Sequence, residues 1–508
     1  MILANGRRLI LREIFKISSS ILNFLKLYRA NLINLALVIV VLGVAPLLGI
    51  LVIQQNPIFV FIALVAPLGL VVGHYILPRP ELAPLLILVA AGFIPFELPT
   101  GTESRLVDSF LLTLLFSGNW LLKMLIIDKR LSLTPSPMNK PLIGFMLMTL
   151  FSVIWGTLFR DPLVNPALLS SKFVFVQTAS ALTMIMLPGA FLLMANQLKD
   201  LASLRSMVTI MLIAGALAVV RRLGLIPIGL ANDGGLFTMW VVSLSLALAM
   251  FQDDLSWKWR GLLLALAGAW IYFRFGRQIS WLAGWLPTFI VLGVLIYMRS
   301  KKLTFIGLGI CALLIVVNIG YINSVYMEEN DESGHTRMAA WEVNWRVTGK
   351  HLIFGTGPAG YAAYYMSYYP NDAMATHNNI IDILAQTGLI GLGFCLWFFF
   401  RLAWFGYKLC LRLKGRGDFV EAVANAAFAG TVGCIIMMIF GDWLFPFTYT
   451  QTIAGFDYIV YSWLFMGAII AIDRLVPANS EAEDHARSIY HHHQLEYASN
   501  AGRLPAGR

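Results

Sequence analysis

The chain has 508 residues, of which 58% are hydrophobic and only 13% are charged, with a formal net charge of +10. Soluble domains carry about 25% charged residues, so this composition excludes a series of soluble domains and indicates a polytopic membrane protein. Most of the positive charge lies in short loops between apolar runs, where it sets membrane topology, so no nucleic-acid partner is expected. The 4 cysteines lie in or beside apolar runs and show neither a disulfide framework nor metal-ligand spacing.

Residues 1–31 place arginine and lysine among leucine, isoleucine and phenylalanine. This pattern predicts a basic amphipathic segment on the cytoplasmic face of the membrane. A secretory signal peptide is not expected, because the apolar run that starts at Leu32 is long enough to span a bilayer and no small-residue cleavage site follows it.

Candidate membrane spans follow, each an apolar run near the length of about 20 residues that a helix needs to cross a bilayer. They lie at 32–53, 57–77, 82–96, 105–122, 141–159, 173–195, 206–220, 235–251, 260–273, 280–298, 303–322, 379–400, 420–440 and 452–472. The basic loops alternate sides along these spans, which predicts both termini inside and about 14 spans, with about 12 as the lower limit. The predicted fold is therefore an all-α polytopic membrane protein with one large extracytoplasmic loop.

The spans define the predicted domain organisation. Its parts are a cytoplasmic amphipathic segment at 1–31, a transmembrane bundle at 32–322, an extracytoplasmic loop domain at 323–378, C-terminal transmembrane helices at 379–474 and a cytoplasmic tail at 475–508. The tail is polar, so it is expected to be disordered. Any metal binding by its histidines would be incidental.

Some basic residues break the charge rule because they lie at the outer ends of predicted spans. Arg221 and Arg222 end one span, and Arg274 and Arg277 lie in the short turn between two others. Positive charge held at the outer face against the usual bias indicates an anionic ligand. The alternative for the first three is that their side chains reach lipid phosphates, whereas Arg277 lies in a turn too short to leave the bundle.

The large outer loop carries features that indicate substrate contacts. Arg337, Trp341 and Trp345 recur at helical spacing, which predicts a helix along the membrane surface. The sequence I-F-G-T-G-P-A-G-Y that follows is not a nucleotide-binding fingerprint, because no parallel-sheet strand is near it. Its glycines suit a turn that approaches a substrate closely. Tyr361 and Tyr364 then offer flat rings for stacking on sugars, with an interfacial aromatic belt as the alternative.

The sequence T-H-N-N-I-I-D-I-L-A-Q-T-G-L-I-G-L-G, at 376–393, predicts a helix N-terminus that opens a membrane span. Asn378 or Asn379 can cap the first free N–H groups, and the glycines form a notch for a neighbouring helix. His377 would lie beside the positive end of the helix dipole, which disfavours imidazolium and attracts anions. That combination suits a neutral base next to a phosphate-bearing substrate, and a polar cap at the water interface is the alternative.

These features together resemble the O-antigen ligase and polymerase superfamily, which comprises bacterial integral-membrane glycosyltransferases that use undecaprenyl-diphosphate-linked glycans. The likeness covers roughly residues 210–440 and rests first on Arg337, Trp341 and the G-T-G turn. It also rests on the pair His377-Asn378, which is followed by Gly388 after nine residues and by Gly391 after two more. The resemblance implies a GT-C-like architecture. It also implies that His377 is the catalytic histidine and that Arg277 is the outer-face arginine that binds the diphosphate.

The sequence departs from the family pattern at two places. A leucine usually follows the diphosphate arginine at the fourth position, whereas Trp281 occupies that position after Arg277. The family also has a second arginine just before the span that starts here near Gly235, and the sequence L-A-N-D-G-G-L-F contains none. Arg221 or Arg222 is expected to supply that charge.

The implied reaction transfers a glycan from an undecaprenyl-diphosphate donor to an acceptor hydroxyl on the extracytoplasmic side of the bacterial inner membrane. Arg277, with Arg221 or Arg222, would neutralise the charge that grows on the diphosphate. His377 would take the proton of the acceptor hydroxyl as general base. The residues assigned to the substrate or acceptor loop are Arg337, Trp341, Asn378, Tyr361 and Tyr364.

No cofactor is expected, and no outer-face carboxylate cluster has metal-ligand spacing. Asp372 and Asp382 flank the histidine but are too isolated to form a cation site. The expected reaction is therefore a metal-independent transfer with inversion at the anomeric carbon.

The sequence leaves the acceptor open. A polymerase joins glycan repeats, a ligase uses a lipid A-core acceptor, and related enzymes glycosylate protein serine or threonine; the oligomeric state is also open. The rival from another class is a lipid-linked oligosaccharide flippase or polysaccharide transporter. It is disfavoured because no internal repeat of spans is found and the ionisable residues gather at one face. In a third alternative, a scaffold for a polysaccharide assembly complex, His377 would be dispensable.

Overall fold

The computed structural model describes residues 79–94, 96–99, 104–160, 164–165, 171–226, 232–279, 281–317, 319–320, 335–369, 375–447 and 449–476. The chain divides into two compact units, Met1–Pro80 and Glu81–Arg508, and nearly all described residues belong to the second. The predicted amphipathic segment, the first two predicted spans and most of the predicted tail lie outside the described residues.

Helices dominate the described part of the chain. They are α1 Ala83–Phe93, α2 Asp108–Leu122, α3 Asn139–Leu158, α4 Ser171–Gln197, α5 Leu201–Arg222, α6 Phe237–Phe251, α7 Trp257–Ile271, α8 Leu282–Arg299, α9 Lys301–Val317, α10 His335–Thr348, α11 Gly360–Tyr368, α12 Asn379–Leu413, α13 Phe419–Met437 and α14 Gly455–Leu475. A 3₁₀ turn, Pro80–Leu82, precedes α1, and π-helical turns at Lys123–Ile127 and Tyr272–Gly276 extend α2 and α7. An antiparallel hairpin pairs β1 Glu97–Pro99 with β2 Arg105–Val107.

These helices confirm a mostly helical, polytopic membrane protein. Within the described residues, 8 helices are long and apolar enough to cross a bilayer, namely α2, α3, α4, α5, α8, α12, α13 and α14. A helix is present at every span predicted between residues 82 and 472, and α1, α6, α7 and α9 are the shorter ones. The total of about 14 spans stays a prediction, because the first two lie outside the described residues.

The interior of the bundle is formed by helices that are apolar on every side. The most buried is α14, which packs against α4 and α13, and α13 packs in turn against α6, α8 and α12. A helix that is hydrophobic all round belongs inside a bundle, because it has no polar face to turn toward water. The spanning part of α2 is mostly exposed and lies at the periphery.

The longest helix, α12, is interrupted near its start. Gly388 has a φ of +68°, a left-handed conformation that breaks the helical path. A side chain at this position would collide with the backbone carbonyl of Ile353. Gly355, with a φ of +75°, similarly lies against the backbone of Gln386. The G-T-G turn of the loop therefore inserts into the break, so the close approach that its glycines permit is to α12.

Backbone hydrogen bonds join the inserted turn to the broken helix. Thr356 N donates to Ala385 O at 2.8 Å, and Leu389 N donates to Leu352 O at 2.8 Å. These bonds satisfy backbone groups that an unbroken helix would pair internally. The glycine notch that the sequence predicted for a neighbouring helix thus receives a loop turn at Gly388.

Candidate active site

The residues at the start of α12 set the position of the predicted histidine. Asn378 caps the helix, because its side-chain Oδ1 accepts hydrogen bonds from the N–H groups of Ile380 at 3.0 Å and Ile381 at 3.2 Å. His377 directly precedes this cap with a φ of +49°, a conformation that histidine adopts more readily than most residues. Its side chain is 41% exposed, so the ring is open to a ligand on one side.

The second asparagine has a different role. Asn379 is fully buried, and its Nδ2 donates to Phe445 O at 2.8 Å while its Oδ1 accepts from Leu444 N at 2.9 Å. These bonds hold the segment that follows α13 across the start of α12. That segment carries Asp442, and the bonds bring it beside His377.

His377 and Asp442 form the centre of the site. Nδ1 of the histidine lies 3.4 Å from Oδ2 of the aspartate, whose side chain is fully buried. Burial lowers the pKa of His377, the charge of Arg337 lowers it further, and Asp382 opposes this change. Burial raises the pKa of Asp442 to about 6. At neutral pH the aspartate is thus ionised and can accept from Nδ1–H, which leaves Nε2 as the basic nitrogen of a neutral ring.

A second buried carboxyl group lies behind this pair. Asp382 Oδ1 accepts hydrogen bonds from the hydroxyl groups of Tyr361 at 2.5 Å and Thr376 at 2.5 Å. Asp382 is also close enough to Asp442 to lower the pKa of that carboxyl group. Asp382 is isolated in sequence, but the fold gives it two hydroxyl partners and places it near a second carboxyl group.

The loop helix α10 contributes two more groups, and it confirms the helix predicted around Trp341. Trp341 Nε1 donates to the carbonyl of Thr376 at 2.6 Å, so α10 is attached to the backbone beside the histidine. Arg337 is close enough for its charge to lower the pKa of both His377 and Asp442. Its Nε is buried and has no hydrogen-bond partner among the described residues. The guanidinium therefore has an unused donor next to the histidine.

The two tyrosines assigned to sugar stacking lie inside the protein. The ring of Tyr361 is 2% exposed and stacks on Phe447 with centroids 5.1 Å apart. Tyr364 is 6% exposed, and its hydroxyl lies 3.0 Å from Nε2 of His351. Their ring faces are covered by protein, and the polar contact of Tyr361 is with Asp382.

A second cluster lies where α5 ends and α6 begins. Asp233 pairs with Arg221 at 2.8 Å and with Arg222 at 2.6 Å. Arg274 donates to the backbone carbonyl of Asp233 at 3.1 Å and to Thr238 Oγ1 at 3.0 Å. Two guanidinium groups thus pair with the Asp233 carboxylate and a third with its backbone carbonyl, and the excess of positive charge suits an anion.

The two arginines of the turn after α7 differ in environment. Arg274 is 6% exposed and belongs to the second cluster. Arg277 is exposed and makes no hydrogen bond or ion pair with another described residue. Arg274 is thus held by the protein, whereas the side chain of Arg277 is available to contact a ligand.

Aromatic contacts connect the two clusters. The guanidinium of Arg274 lies 5.4 Å from the ring centroid of Trp281, and the rings of Trp281 and Trp443 are 6.2 Å apart. Trp443 directly follows Asp442 in the chain. Trp281, which occupies the place of the leucine usual in the family, thus lies between the arginines and the histidine site, so both clusters lie at one end of the bundle.

An apolar groove runs along α5, α6 and α7 toward the arginine cluster. It has a volume of about 720 Å³, and its lining extends from Arg205 and Trp259 to Val219 and Val220. Val220 immediately precedes the paired arginines at the end of α5. The groove therefore runs along most of α5 and ends directly before the paired arginines.

The fold and the site define a polytopic membrane protein with a histidine, buried carboxyl groups and arginines gathered at one end. Residues 262–396 match the family model described as O-antigen ligase, which confirms the resemblance to the O-antigen ligase and polymerase superfamily. The family supports a membrane function of the O-antigen ligase or polymerase type. A search of the curated proteins finds no match to the chain.

The matched segment contains some of the site but not all of it. Arg274, Arg277, Arg337 and His377 lie within it, whereas Asp442 does not. Sequence reasoning also missed Asp442, because a single aspartate after an apolar span has no distinctive spacing. The only signal was its occurrence between two such spans, where an ionisable side chain needs a partner.

Proposed function

We propose that the protein is a membrane glycosyltransferase of bacterial surface-polysaccharide assembly. It transfers a glycan from an undecaprenyl-diphosphate donor to an acceptor hydroxyl on the extracytoplasmic side of the inner membrane. The observation that carries this proposal is a half-exposed His377 held against the buried carboxylate of Asp442, with Arg337 beside both. The family match supports a transfer of this type.

His377 acts as the general base in this mechanism. Its Nδ1–H faces Asp442, and its lowered pKa keeps the ring neutral at pH 7, so Nε2 is available to take the proton of the acceptor hydroxyl. The carboxylate then stabilises the imidazolium that forms and holds the ring in one orientation. A positive Arg337 nearby disfavours imidazolium before the acceptor binds.

The arginines stabilise the leaving group. Guanidinium groups pair bidentately with phosphate oxygens, and their charge offsets the charge that grows on the departing diphosphate. The exposed Arg277 contacts the diphosphate directly, and Arg221 and Arg222 hold the surrounding positive field. The apolar groove below these two suits the polyprenyl tail of the donor. Attack opposite the diphosphate inverts the anomeric carbon, and the guanidinium groups make a metal ion unnecessary.

The decisive experiment is a transfer assay with the full-length protein purified in detergent. It contains lipid-linked glycan and an acceptor, and it measures the release of undecaprenyl diphosphate. His377→Ala and His377→Gln are expected to lower the rate by about 10³-fold or more while the unfolding temperature stays near that of the wild type. Arg346→Ala is the matched control, because among the described residues this exposed arginine pairs with Glu342 alone, on the same helix. Full activity of the His377 variants would refute the role of His377 as general base.

The same assay separates the enzyme from a flippase. An enzyme releases lipid diphosphate in detergent without a membrane gradient, whereas a flippase does not. Parallel reactions with a glycan, a lipid A-core and a serine or threonine peptide then identify the acceptor. We favour a glycan or lipid A-core acceptor, with the protein hydroxyl as the third alternative.

A further inference from the structure

Two buried carboxyl groups lie together behind His377 with few donors between them. Asp382 Oδ1 accepts from two hydroxyl groups, whereas no described N–H group or hydroxyl donates to its Oδ2. Neither oxygen of Asp442 has a hydrogen-bond donor among the described residues, apart from the approach of the histidine Nδ1 at 3.4 Å. The side chains of Asp382 and Asp442 are 2% exposed or less.

One proton between the two carboxyl groups would supply the donor that both lack. Two ionised carboxylates in a buried site repel, and neither can donate a hydrogen bond to the other. Oδ1 of Asp382 already accepts from Tyr361 and Thr376, so the free position for a proton is Oδ2. The oxygens of Asp442, whose pKa Asp382 lowers, are unpartnered acceptors for that proton.

The charges around the two carboxyl groups favour a proton on Asp382 and an ionised Asp442. The groups that face it are Arg337 from α10, Tyr361 from α11 and the His377 ring. The Arg337 charge favours the ionised form of Asp442. A helix N-terminus alone would favour an ionised Asp382, because the first turn attracts anions. Here the adjacent buried carboxylate opposes that preference at shorter range.

We propose that Asp382 is a positioning residue, a carboxylic acid that donates from Oδ2 to Asp442 and thereby holds this carboxylate ionised and directed at Nδ1 of His377. The proposal rests on the proposed role of His377 as general base. In the transfer, the acceptor oxygen bonds to the anomeric carbon as the bond to the diphosphate oxygen breaks, and that electron pair leaves with the diphosphate. The acceptor proton moves to Nε2, and Asp382 keeps its own proton throughout.

Substitutions of Asp382 distinguish a hydrogen-bond donor from an ionised group. Asp382→Asn places an amide N–H where the acid has its O–H, and its carbonyl can still accept from Tyr361 and Thr376. It is expected to stay within about tenfold of the wild-type rate, whereas Asp382→Ala, which removes the donor, loses more than about tenfold. Glu421→Gln is a matched control for the general effect of replacing a buried acid, because Glu421 accepts from the N–H groups of Gly415 and Gly417 at the end of α13 away from Asp442.

The pH profile of kcat gives a second measure. Asp442 must be ionised and His377 neutral, so the wild-type rate is full at neutral pH and falls as the pH drops through about 6. The hydrogen bond from Asp382 lowers the pKa of Asp442. Loss of that bond in Asp382→Ala therefore shifts the acid limb to higher pH, whereas Asp382→Asn and Glu421→Gln leave it near the wild-type position.

Infrared spectroscopy tests the proton without turnover. At neutral pH, the wild-type spectrum is expected to contain a protonated-carboxyl C=O band that is missing from Asp382→Asn. The band is expected even if the wild-type protein transfers no glycan, so the infrared experiment tests Asp382 independently of the proposed function. The role of Asp382 is overturned if the two spectra match in this region, if Asp382→Asn is as inactive as Asp382→Ala, or if Asp382→Ala keeps the wild-type rate and pH profile.

Discussion

Two clusters of the site differ in their balance of charge. The histidine cluster comprises His377, Arg337, Asp382 and Asp442, and the arginine cluster comprises Arg221, Arg222, Arg274 and Asp233. Around His377, two buried carboxyl groups lie behind a neutral base. Around Asp233, two guanidinium groups pair with the carboxylate and a third with the backbone carbonyl. A group transfer with a diphosphate leaving group needs both, because one reactant must lose a proton while the other gains negative charge. In the proposed transfer each cluster would serve one reactant, and the contact between the rings of Trp281 and Trp443 connects the two clusters.

Substitutions in the histidine cluster are expected to lower activity more than substitutions in the arginine cluster. Asp442→Asn should lower kcat by about 10²-fold to 10⁴-fold with little change in KM, because an amide neither stabilises the imidazolium nor selects the tautomer with Nδ1 protonated. Steady-state kinetics of the purified protein measure this effect. A loss seen mainly in KM would instead assign Asp442 to substrate binding.

The arginine cluster is expected to divide into one binding arginine and one structural arginine. Arg277→Ala should lower kcat/KM by about 10-fold to 10²-fold without changing the unfolding temperature, because the side chain is exposed and makes no hydrogen bond or ion pair with a described residue. Arg274→Ala should instead cost roughly 1–3 kcal/mol of stability, since Thr238 and the carbonyl of Asp233 lose a buried donor.

Kinetics and thermal unfolding of both variants test this division, with Arg277→Lys to separate charge from bidentate geometry. A stable Arg274→Lys variant that loses activity, beside an active Arg277→Ala, would move the diphosphate contact to Arg274.

The smallest effect is expected where the loop meets the histidine cluster. Trp341→Phe keeps an aromatic ring but removes the hydrogen bond to the Thr376 carbonyl, which contributes about 1 kcal/mol, so the rate should fall by no more than about fivefold. Relative rates at saturating donor measure it. A loss as large as that of Asp442→Asn would show that Trp341 contacts substrate rather than supporting the backbone.

Local features of the fold were predictable, because their causes are local. Apolar runs predicted the positions of the helices between residues 82 and 472, and the spacing around Trp341 predicted α10. The cap at Asn378 followed from a polar side chain directly before an apolar run. The recognition of the family rested on a short motif around His377, which the family match confirms.

The missed features depend on contacts between distant parts of the chain. Asp442 reaches His377 only because the buried Asn379 ties the segment after α13 to the start of α12. The environments of Arg274 and Arg277 depend on a π-helical turn, which shifts the helical register and so hides which arginine faces the bundle. The break at Gly388 depends on an inserted loop turn, which no periodicity encodes.

That break divides one membrane helix into two mechanical parts. The first turns of α12, with the cap beside the histidine, are bonded to the loop turn at Gly355, whereas the longer second part packs against α3 and α13. The turn that follows the histidine is therefore bonded on two sides, to the loop at Gly355 and to the segment after α13 through Asn379. Under the proposed mechanism, the general base thus sits on a short helical segment that a single glycine separates from the rest of α12.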